Sequence, residues 1–342
     1  MEVVICKTKE EASKLAADMI TAAVKKNPKT VLGLATGSTP VLMYTEMANG
    51  ADTLRLNLSS EPDYLDPALN SSVDGACLAA NSFSGLYTYN ADGVTVPACA
   101  EGYTVSEDGL TYTVTLKDGL KWSDGSDLTA YDFEYSWVRT LDPESPTNSD
   151  LWIIKNGEAY SNGEATAEEV GVKALDEKTF QVELANITPW FLMLTSTTSF
   201  LPVCKAVVEA NTDWAQSPDP ATYVSNGPFM LQEYSSLDKI VLVKNPNYYA
   251  ADDVKVDSVQ YSIIPETATE LLAYKNGDIN VSINLDQQGI TDYAGTDELS
   301  QRPRVGIQYC DFNTQLPEFS DKRVRQAFAM AINRQVLLQA MG

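Results

Sequence analysis

The sequence predicts a chain of mixed α and β structure, of the α+β class, and two observations support this prediction. From Asp52 onward, short strands with alternating apolar and polar residues form hairpins, with amphipathic helices between them. They lack the regular strand-helix alternation that builds a doubly wound sheet. Residues 1–47 instead run strand, helix, strand, helix, which predicts a partial Rossmann-like β-α-β-α fragment.

The first forty-seven residues place a polar loop between a strand and a helix. TVLGLA (30–35) is an apolar run typical of a buried strand, and a new helix is predicted from about Pro40. Free amide groups at such a helix start can bind an anion, which makes Gly37, Ser38 and Thr39 candidate phosphate-binding residues. A plain helix N-cap explains the same residues equally well.

From residue 53 the elements follow in a clear order. TLRLNL (53–58) alternates as a strand does, and SSEPDYLDP (59–67) is a loop. Thr129 to Asp132 opens a helix, with Asp132 in the capping position. Hairpins are predicted at 104–116, 172–184 and 229–245. The segment 320–341 is predicted as one helix, apolar at Val324, Ala327, Phe328, Ala331 and Ile332.

Length and composition are those of a soluble globular protein. The 342 residues, 44% of them hydrophobic, are enough for two domains or one two-lobed body. No run of about eighteen apolar residues occurs, so we expect no membrane span. The N-terminus carries Glu2, Glu10 and Glu11 and does not predict a secretory signal peptide, so the chain as written would stay in the cytoplasm.

The charge argues against a nucleic-acid partner. The net charge is −23, whereas phosphate binding needs clustered Lys and Arg. Residues 1–49 carry six Lys and five acidic residues, and residues 50–342 carry 18 basic and 42 acidic residues. This shift indicates a boundary near residue 50. A solvated surface explains the acidity of the larger part more simply than an acid-specific partner site.

The absence of histidine excludes several kinds of chemistry. Without His the chain has no Ser/His/Asp or Cys/His nucleophile system and no His metal site. Carboxylate or Lys chemistry stays open, but no spacing singles out a pair. We therefore expect no catalytic residues, no metal and no cofactor.

Five cysteines without a CxxC pair predict buried thiols, with neither a disulfide framework nor a zinc site: Cys6, Cys77, Cys99, Cys204 and Cys310.

Residues 1–47 resemble a known enzyme family. The order MEVVICKTKEEASKLAADMI…VLGLATGSTPVLMYTEM is similar to the N-terminus of glucosamine-6-phosphate deaminases. The resemblance implies that Gly37, Ser38 and Thr39 would hold the sugar phosphate. The later acidic and histidine motifs of that family do not follow. A deaminase/isomerase acting on sugar phosphates is therefore the alternative function, and we expect it to be inactive here.

Residues 52–342 resemble a second family, and many dispersed motifs carry the likeness. These motifs occur in the order seen in family 5 solute-binding proteins, the oligopeptide-binding receptors of ABC importers: LNLSSEPDYLDPAL (56–69), SFSGLYTYNADG (82–93), VSEDGLTYTVTLKDGLKWSDGSDLTAYDFEYSWVRTLDP (105–143), GVKALDEKTFQVEL (171–184), SNGPFMLQEY (225–234), VKNPNYY (243–249), AYKNGDINV (273–281) and FNTQLPEFSDKRVRQAFAMAINR (312–334).

The second resemblance implies a two-lobed, periplasmic-binding-protein type II-like receptor that closes over its ligand. Main-chain hydrogen bonds along strand edges hold an extended peptide in such a site. The implied partners are a peptide ligand and the membrane subunits of an ABC importer. We expect a monomer without enzymatic activity. Receptors of this family work in the periplasm or as cell-surface lipoproteins.

The resemblance also suggests which residues face the ligand cleft. They are Ser60, Glu61 and Pro62 in a loop, Asn284 on a strand, and Gln308 and Tyr309 on another strand near the hinge. Each of three has an alternative, namely Glu61 as a solvated loop charge, Asn284 as a turn residue and Tyr309 as a core residue. Thr147 and Ile283 stand where the oligopeptide pattern often has aromatic residues. The ligand class therefore stays open, since dipeptide, sugar and metal-chelate binders share the family.

Together the two resemblances predict three parts. Residues 1–49 would be the deaminase-like fragment, 50–305 the first lobe with two subdomains, and 306–342 the hinge strand and the start of an incomplete second lobe. The chain would then be a chimera joined near Met47–Asp52, either in a real gene or through recombination or assembly of the sequence. Half a cleft cannot enclose a peptide, so we expect impaired binding.

Overall fold

The computed structural model describes residues 53–90, 92–216, 218–300 and 309–341. The predictions for residues 1–49, including the β-α-β-α fragment and the candidate phosphate-binding residues Gly37, Ser38 and Thr39, lie outside these ranges. The predicted cleft residue Gln308 lies outside them as well.

The strands form two four-stranded sheets and one small hairpin within the described residues. The first sheet has the order β1-β10-β9-β8, the second β4-β5-β7-β6, and β2 pairs with β3. The strands are β1 (Thr53–Leu58), β2 (Tyr87–Tyr89), β3 (Thr95–Pro97), β4 (Ala100–Val105), β5 (Thr111–Leu116), β6 (Val172–Ala174), β7 (Thr179–Glu183), β8 (Phe229–Ser235), β9 (Lys239–Lys244) and β10 (Ser258–Ile263).

Helices connect and cover these sheets. They are α1 (Val73–Ser82), α2 (Ala130–Thr140), α3 (Gly157–Ser161), α4 (Phe191–Leu194), α5 (Lys205–Ala210), α6 (Thr267–Asn276), α7 (Gln287–Tyr293), α8 (Pro317–Ser320), α9 (Lys322–Ala331) and α10 (Arg334–Met341). Single 3₁₀ turns lie at Asn148–Leu151, Ala167–Glu169, Thr198–Phe200 and Ala251–Asp253. Among the described residues, no helix is long and apolar enough to cross a bilayer.

In the first sheet, β1 runs parallel to β10, and the remaining pairs are antiparallel. Leu54, Leu56 and Leu58 point to one face of β1 and are buried in the core, as the period-2 pattern of the sequence predicts. Since β1 and β10 are parallel, their carboxyl ends meet at one edge of the sheet. The β8–β9 turn reaches the same edge, because Ser262 of β10 lies opposite Lys239.

The second sheet is antiparallel throughout, and its core is aromatic. Trp137 of α2 is fully buried and donates its indole N–H to the Phe200 carbonyl at 2.9 Å. Its ring meets those of Phe180 and Phe200 edge-on, with both centroid distances at 5.0 Å. All three predicted hairpins are confirmed. The start of α2 is confirmed too, since Asp132 accepts the Thr129 N–H at 2.9 Å.

The SNGP motif packs the start of β8 against the chain at the end of α1. Asn226 accepts the Ser84 N–H at 3.0 Å and donates to the Ser84 carbonyl at 2.8 Å, as a neighbouring strand would. Gly227 follows, and a Cβ there would lie 2.5 Å from the main chain of Ser82. Only glycine allows this close approach. The start of β8 is thus fixed against the end of α1.

A buried ion pair ties the loop after β1 to α2. Asp66 is 1% exposed and accepts two hydrogen bonds from the Arg139 guanidinium, at 2.6 and 3.0 Å. It also accepts the Trp214 indole N–H at 3.2 Å and the Ala68 N–H at 3.0 Å. Both carboxylate oxygens therefore have partners, which a buried charge requires.

The prediction of a single helix over residues 320–341 was wrong. The segment 320–341 forms two helices, because Ile332 is extended and the Asn333 side chain accepts the N–H groups of Gln335 and Val336 at 3.1 and 3.2 Å. This is the arrangement of a new N-cap.

The prediction that the cysteines are buried thiols holds for Cys99 and Cys204, whereas Cys77 and Cys310 are exposed. Cys77 falls beside the buried stripe of α1, which runs through Gly75, Leu78, Ala79 and Ser82. Cys6 lies outside the described residues.

Replacing Asp66 by Asn tests the buried ion pair. The substitution leaves Arg139 without its counter-charge, so we expect the free energy of unfolding to fall by about 3–5 kcal/mol. Urea denaturation measures this change. Asp127→Asn is the control, since that carboxylate is 75% exposed in its ion pair with Lys121 and its loss should cost less than about 1 kcal/mol. Equal effects of the two substitutions would contradict the structural role of Asp66.

Thiol labelling tests the burial of Cys99. This side chain is 1% exposed, and burial raises its pKa to about 12, so it stays a neutral thiol at pH 8. With native protein we expect a maleimide to label exposed Cys310 and to leave Cys99 unmodified, with peptide mapping as the readout. Denaturation should make Cys99 reactive. Rapid labelling of Cys99 in native protein would contradict the burial of this side chain in the core.

Candidate functional site

A polar cluster forms where β1 ends. Ser60 is exposed, and its N–H and hydroxyl both donate to Oδ2 of Asp74, at 2.8 and 2.7 Å. Asp74 lies in the first turn of α1, whose N-cap Ser72 accepts the Gly75 N–H at 3.1 Å. The loop after β1 is therefore fastened to a helix start, where a carboxylate is favourable.

Glu61 is bound to the turn between β8 and β9. Its carboxylate accepts hydrogen bonds from the hydroxyls of Tyr234, at 2.8 Å, and Ser236, at 3.1 Å. Burial, and secondarily the Glu61 charge, raise the pKa of Tyr234, so it remains a hydrogen-bond donor at neutral pH. Glu61 is half-buried and Pro62 is buried behind it. Glu61 thus has specific partners, although part of its side chain stays exposed to solvent as in the alternative of a solvated loop charge.

Asn284 reaches the same loop from the other side of β1. Its side-chain N–H donates to the Ser59 hydroxyl at 2.7 Å and to the Glu270 carboxylate at 3.4 Å. Glu270, on α6, is 1% exposed and accepts the N–H groups of Ile283 at 2.8 Å and Asn284 at 3.4 Å. Asn284 itself is exposed and lies in no turn, so the turn-residue alternative is wrong.

The segment that carries Asn284 lies beside β1 without forming the expected strand. The Asn280 N–H donates to the Arg55 carbonyl at 2.7 Å, but the return bond runs from the Arg55 N–H to the Asn280 side chain, also 2.7 Å. The side-chain oxygen thus takes the place of a main-chain carbonyl, and the ladder does not continue. Residues 281–286 have no regular secondary structure.

Four of the predicted cleft residues come together at this edge of the first sheet. Ser60, Glu61 and Pro62 follow β1, and Asn284 joins them through Ser59. Tyr309 is 67% exposed, so the alternative of a core residue is wrong. It is not assigned to a strand, and no hydrogen bond or ring contact links it to the cluster among the described residues.

Sequence reasoning missed four residues that hold the cluster: Ser59, Asp74, Tyr234 and Glu270. Of these, only Glu270 could have been recognised from the sequence pattern. It shares a buried side of α6 with Leu271 and Tyr274, and a carboxylate on an apolar helix face marks a specific hydrogen-bond partner. The other three look like ordinary loop, cap and hairpin residues.

The chemistry of the cluster is that of hydrogen bonding. It offers an exposed hydroxyl at Ser60, an exposed amide at Asn284 and a half-buried carboxylate at Glu61. Within the described part of the chain, no group of three or more Cys, Asp or Glu residues has metal-binding geometry. The carboxyl ends of parallel strands are a common place for ligands in open sheets.

Comparison with known proteins defines the class. Residues 94–342 match the family described as bacterial extracellular solute-binding proteins, family 5 Middle. The oligopeptide-binding protein OppA of Bacillus subtilis is 34% identical over 299 residues, which cover 85% of this chain and 54% of that protein. The chain thus spans about half the length of the curated relatives it matches.

Solved structures agree with the sequence match. The murein tripeptide-binding protein MppA of Escherichia coli has a TM-score of 0.76 at 32% identity, over 84% of this chain and 57% of that one. The Haemophilus influenzae OppA complex with the peptide RPPGFSPFR has a TM-score of 0.76 at 25% identity, over 85% and 57%. These proteins are solute-binding receptors with a mixed α and β fold.

The chain belongs to the family 5 solute-binding proteins. This confirms the predicted family and the mixed α/β class of the fold. The named relatives are binding proteins, and the deaminase alternative, based on residues 1–47, receives no support from them. The chimeric join near Met47–Asp52 stays a prediction.

Glu270→Gln tests how the Asn284 segment is held. Oε1 of the carboxylate accepts the Ile283 and Asn284 N–H groups, and Oε2 accepts the Asn284 side-chain N–H. Glutamine removes the charge that strengthens these bonds and puts an N–H group against one of the donors, so we expect a loss of about 1–3 kcal/mol in the free energy of unfolding. Hydrogen exchange at the Ile283 amide should also become faster. The exposed Asp278→Asn is the matched control and should change neither quantity. Unchanged exchange at Ile283 in Glu270→Gln would refute the assignment.

Proposed function

We propose that this chain supplies the first lobe and the hinge side of an extracytoplasmic receptor that binds peptides for an ABC importer. The observation that carries the proposal is the polar cluster at the carboxyl end of β1, found in a member of a solute-binding family. Relatives bear the names oligopeptide-binding, dipeptide-binding and murein peptide-binding protein.

The geometry of the cluster suits a peptide main chain. Ser60 and Asn284 are exposed and carry both donors and acceptors, which pair with the amide groups that every peptide has. The Glu61 carboxylate provides a negative group for a cationic end or side chain of the ligand. Each of these side chains already has a protein partner, so a ligand meets groups that are fixed in place.

The proposed division of the chain follows from this function. In this proposal the described residues 53–300 belong to the first lobe, and residues 309–341 belong to the beginning of a second lobe. The helices α9 and α10, with the residue Ile332 that lies between them, support this division because they expose apolar side chains: Phe328, Met330, Ile332, Val336 and Leu337. An exposed apolar surface of this kind marks a contact with another part of a protein. Closure of two lobes about a hinge would enclose the peptide.

The proposed protein is a non-enzymatic monomer that delivers its ligand to membrane subunits. A place outside the cytoplasmic membrane is supported by the family description, extracellular, and by relatives named periplasmic.

Calorimetry and thermal shift with di- to pentapeptides test the proposed function. We expect one or more of these peptides to raise the melting temperature of the chain. Asn284→Ala removes an exposed amide and frees Ser59, so it should weaken peptide binding by about tenfold. Asn162→Ala, at another exposed asparagine, is the control and should bind as the unmodified chain does. The proposal fails if no peptide binds, or if Asn284→Ala binds as tightly as the control.

A further inference from the structure

A second concave surface lies beside β2, β3 and β4 and shares no residue with the polar cluster. It is an open groove of about 580 Å³. One wall comes from β2, β3 and β4. The other comes from α4 and the two residues before it. We call it the aromatic groove, and its lining residues are Tyr87, Thr95, Pro97, Gly102, Tyr103, Pro189, Trp190, Leu192 and Met193.

The groove exposes large apolar side chains on a rigid base. Trp190 is 56% exposed, Tyr103 is 47% exposed and Met193 is 42% exposed. The Tyr103 ring lies 6.2 Å from that of Tyr87 and 5.9 Å from that of Tyr112, centroid to centroid. These contacts fix its orientation without covering it. Exposed Trp and Tyr in a concave surface are the residues that most often dominate binding energy.

The groove also borders a free strand edge. β4 is the outer strand of its sheet and pairs with β5 on one side only. The Ser106 N–H donates to the Thr111 carbonyl. In an antiparallel pair every second residue bonds to the partner strand, so Thr104 and Gly102 are the next residues of β4 that bond to β5. The main-chain groups of Tyr103 and Val105 therefore point outward. Among the described residues no hydrogen bond to them occurs on that side. A free edge of this kind accepts an extended peptide as an added strand.

The charge of the groove walls selects the kind of peptide. The two segments that build them, 85–116 and 185–204, contain no Lys or Arg. They contain four acidic residues, all of them exposed: Asp92, Glu101, Glu107 and Asp108. The rings of Tyr103 and Trp190 attract cations through their faces. The net negative charge of these two segments and the open aromatic faces together favour a positively charged partner.

We propose that the aromatic groove is a second binding site, which takes a short, extended, cationic peptide carrying aromatic side chains. The peptide main chain pairs with the outer edge of β4 at Tyr103 and Val105. An aromatic side chain of the peptide fills the space between Tyr103 and Trp190, and its cationic side chains are attracted by the net negative charge of the two segments that build the groove. This site is separate from the cleft at Asn284 and does not depend on the function proposed for that cleft.

Fluorescence anisotropy with a labelled probe, acetyl-Arg-Phe-Arg-Phe-Arg-amide, tests the proposal on the full chain. We expect saturable binding that weakens as salt rises from 10 to 200 mM, since the carboxylates are exposed. Trp190→Ala and Tyr103→Ala should each weaken binding by about tenfold. Tyr131→Ala removes an aromatic ring of similar exposure outside the groove and serves as the control. It should bind the probe as the unmodified chain does.

Three further arms distinguish binding in the groove from binding elsewhere on the chain. The probe with its two Phe residues N-methylated cannot add as a strand and should not bind. Replacing its Arg residues by Glu should abolish binding. Asn284→Ala should leave binding intact, because that residue belongs to the cleft. The proposal is overturned if Trp190→Ala binds as tightly as Tyr131→Ala, if the Glu probe or the N-methylated probe binds equally well, or if Asn284→Ala alone removes binding.

Discussion

The position of the candidate site depends on the buried carboxylate of Asp66. Arg139 from α2, Trp214 and the Ala68 N–H all bind this one group, so the loop after β1 meets two distant parts of the chain there. A buried carboxylate is tolerated only when it has a counter-charge and hydrogen-bond donors, and these three partners supply both to Asp66. The arrangement therefore gives the loop a single path from β1 to α1. Ser60 and Glu61 lie on that path.

Hydrogen bonds between side chains then complete the site. Ser60 is held by Asp74, Glu61 by Tyr234 and Ser236, and Asn284 by Ser59 and Glu270. Most of these pairs link residues far apart in the sequence. Groups that are fixed before a ligand arrives lose little freedom on binding. In this respect the cluster resembles the preformed side of a receptor cleft.

The hairpins and the start of α2 could be predicted from sequence, because alternation and capping residues act over a few positions. The loop SSEPDYLDP and its place after β1 could be predicted in the same way. The partners of the site could not, since Glu270 and Tyr234 reach it only through tertiary contacts. The strand expected near Asn284 was wrong because the Asn280 side chain replaces a ladder hydrogen bond. The break at Asn333 depended likewise on a side chain that caps where helix periodicity continues.

Hydrogen–deuterium exchange with and without bound short peptides tests the central claim most directly, namely that the edge formed by the end of β1 and the Asn284 segment is the ligand-binding surface. The account predicts slower exchange in residues 58–62 and 280–285 when a peptide is bound, because ligand contacts there reduce local opening. A peptide whose binding is unchanged by Trp190→Ala, and which leaves exchange in both segments unchanged, would contradict it.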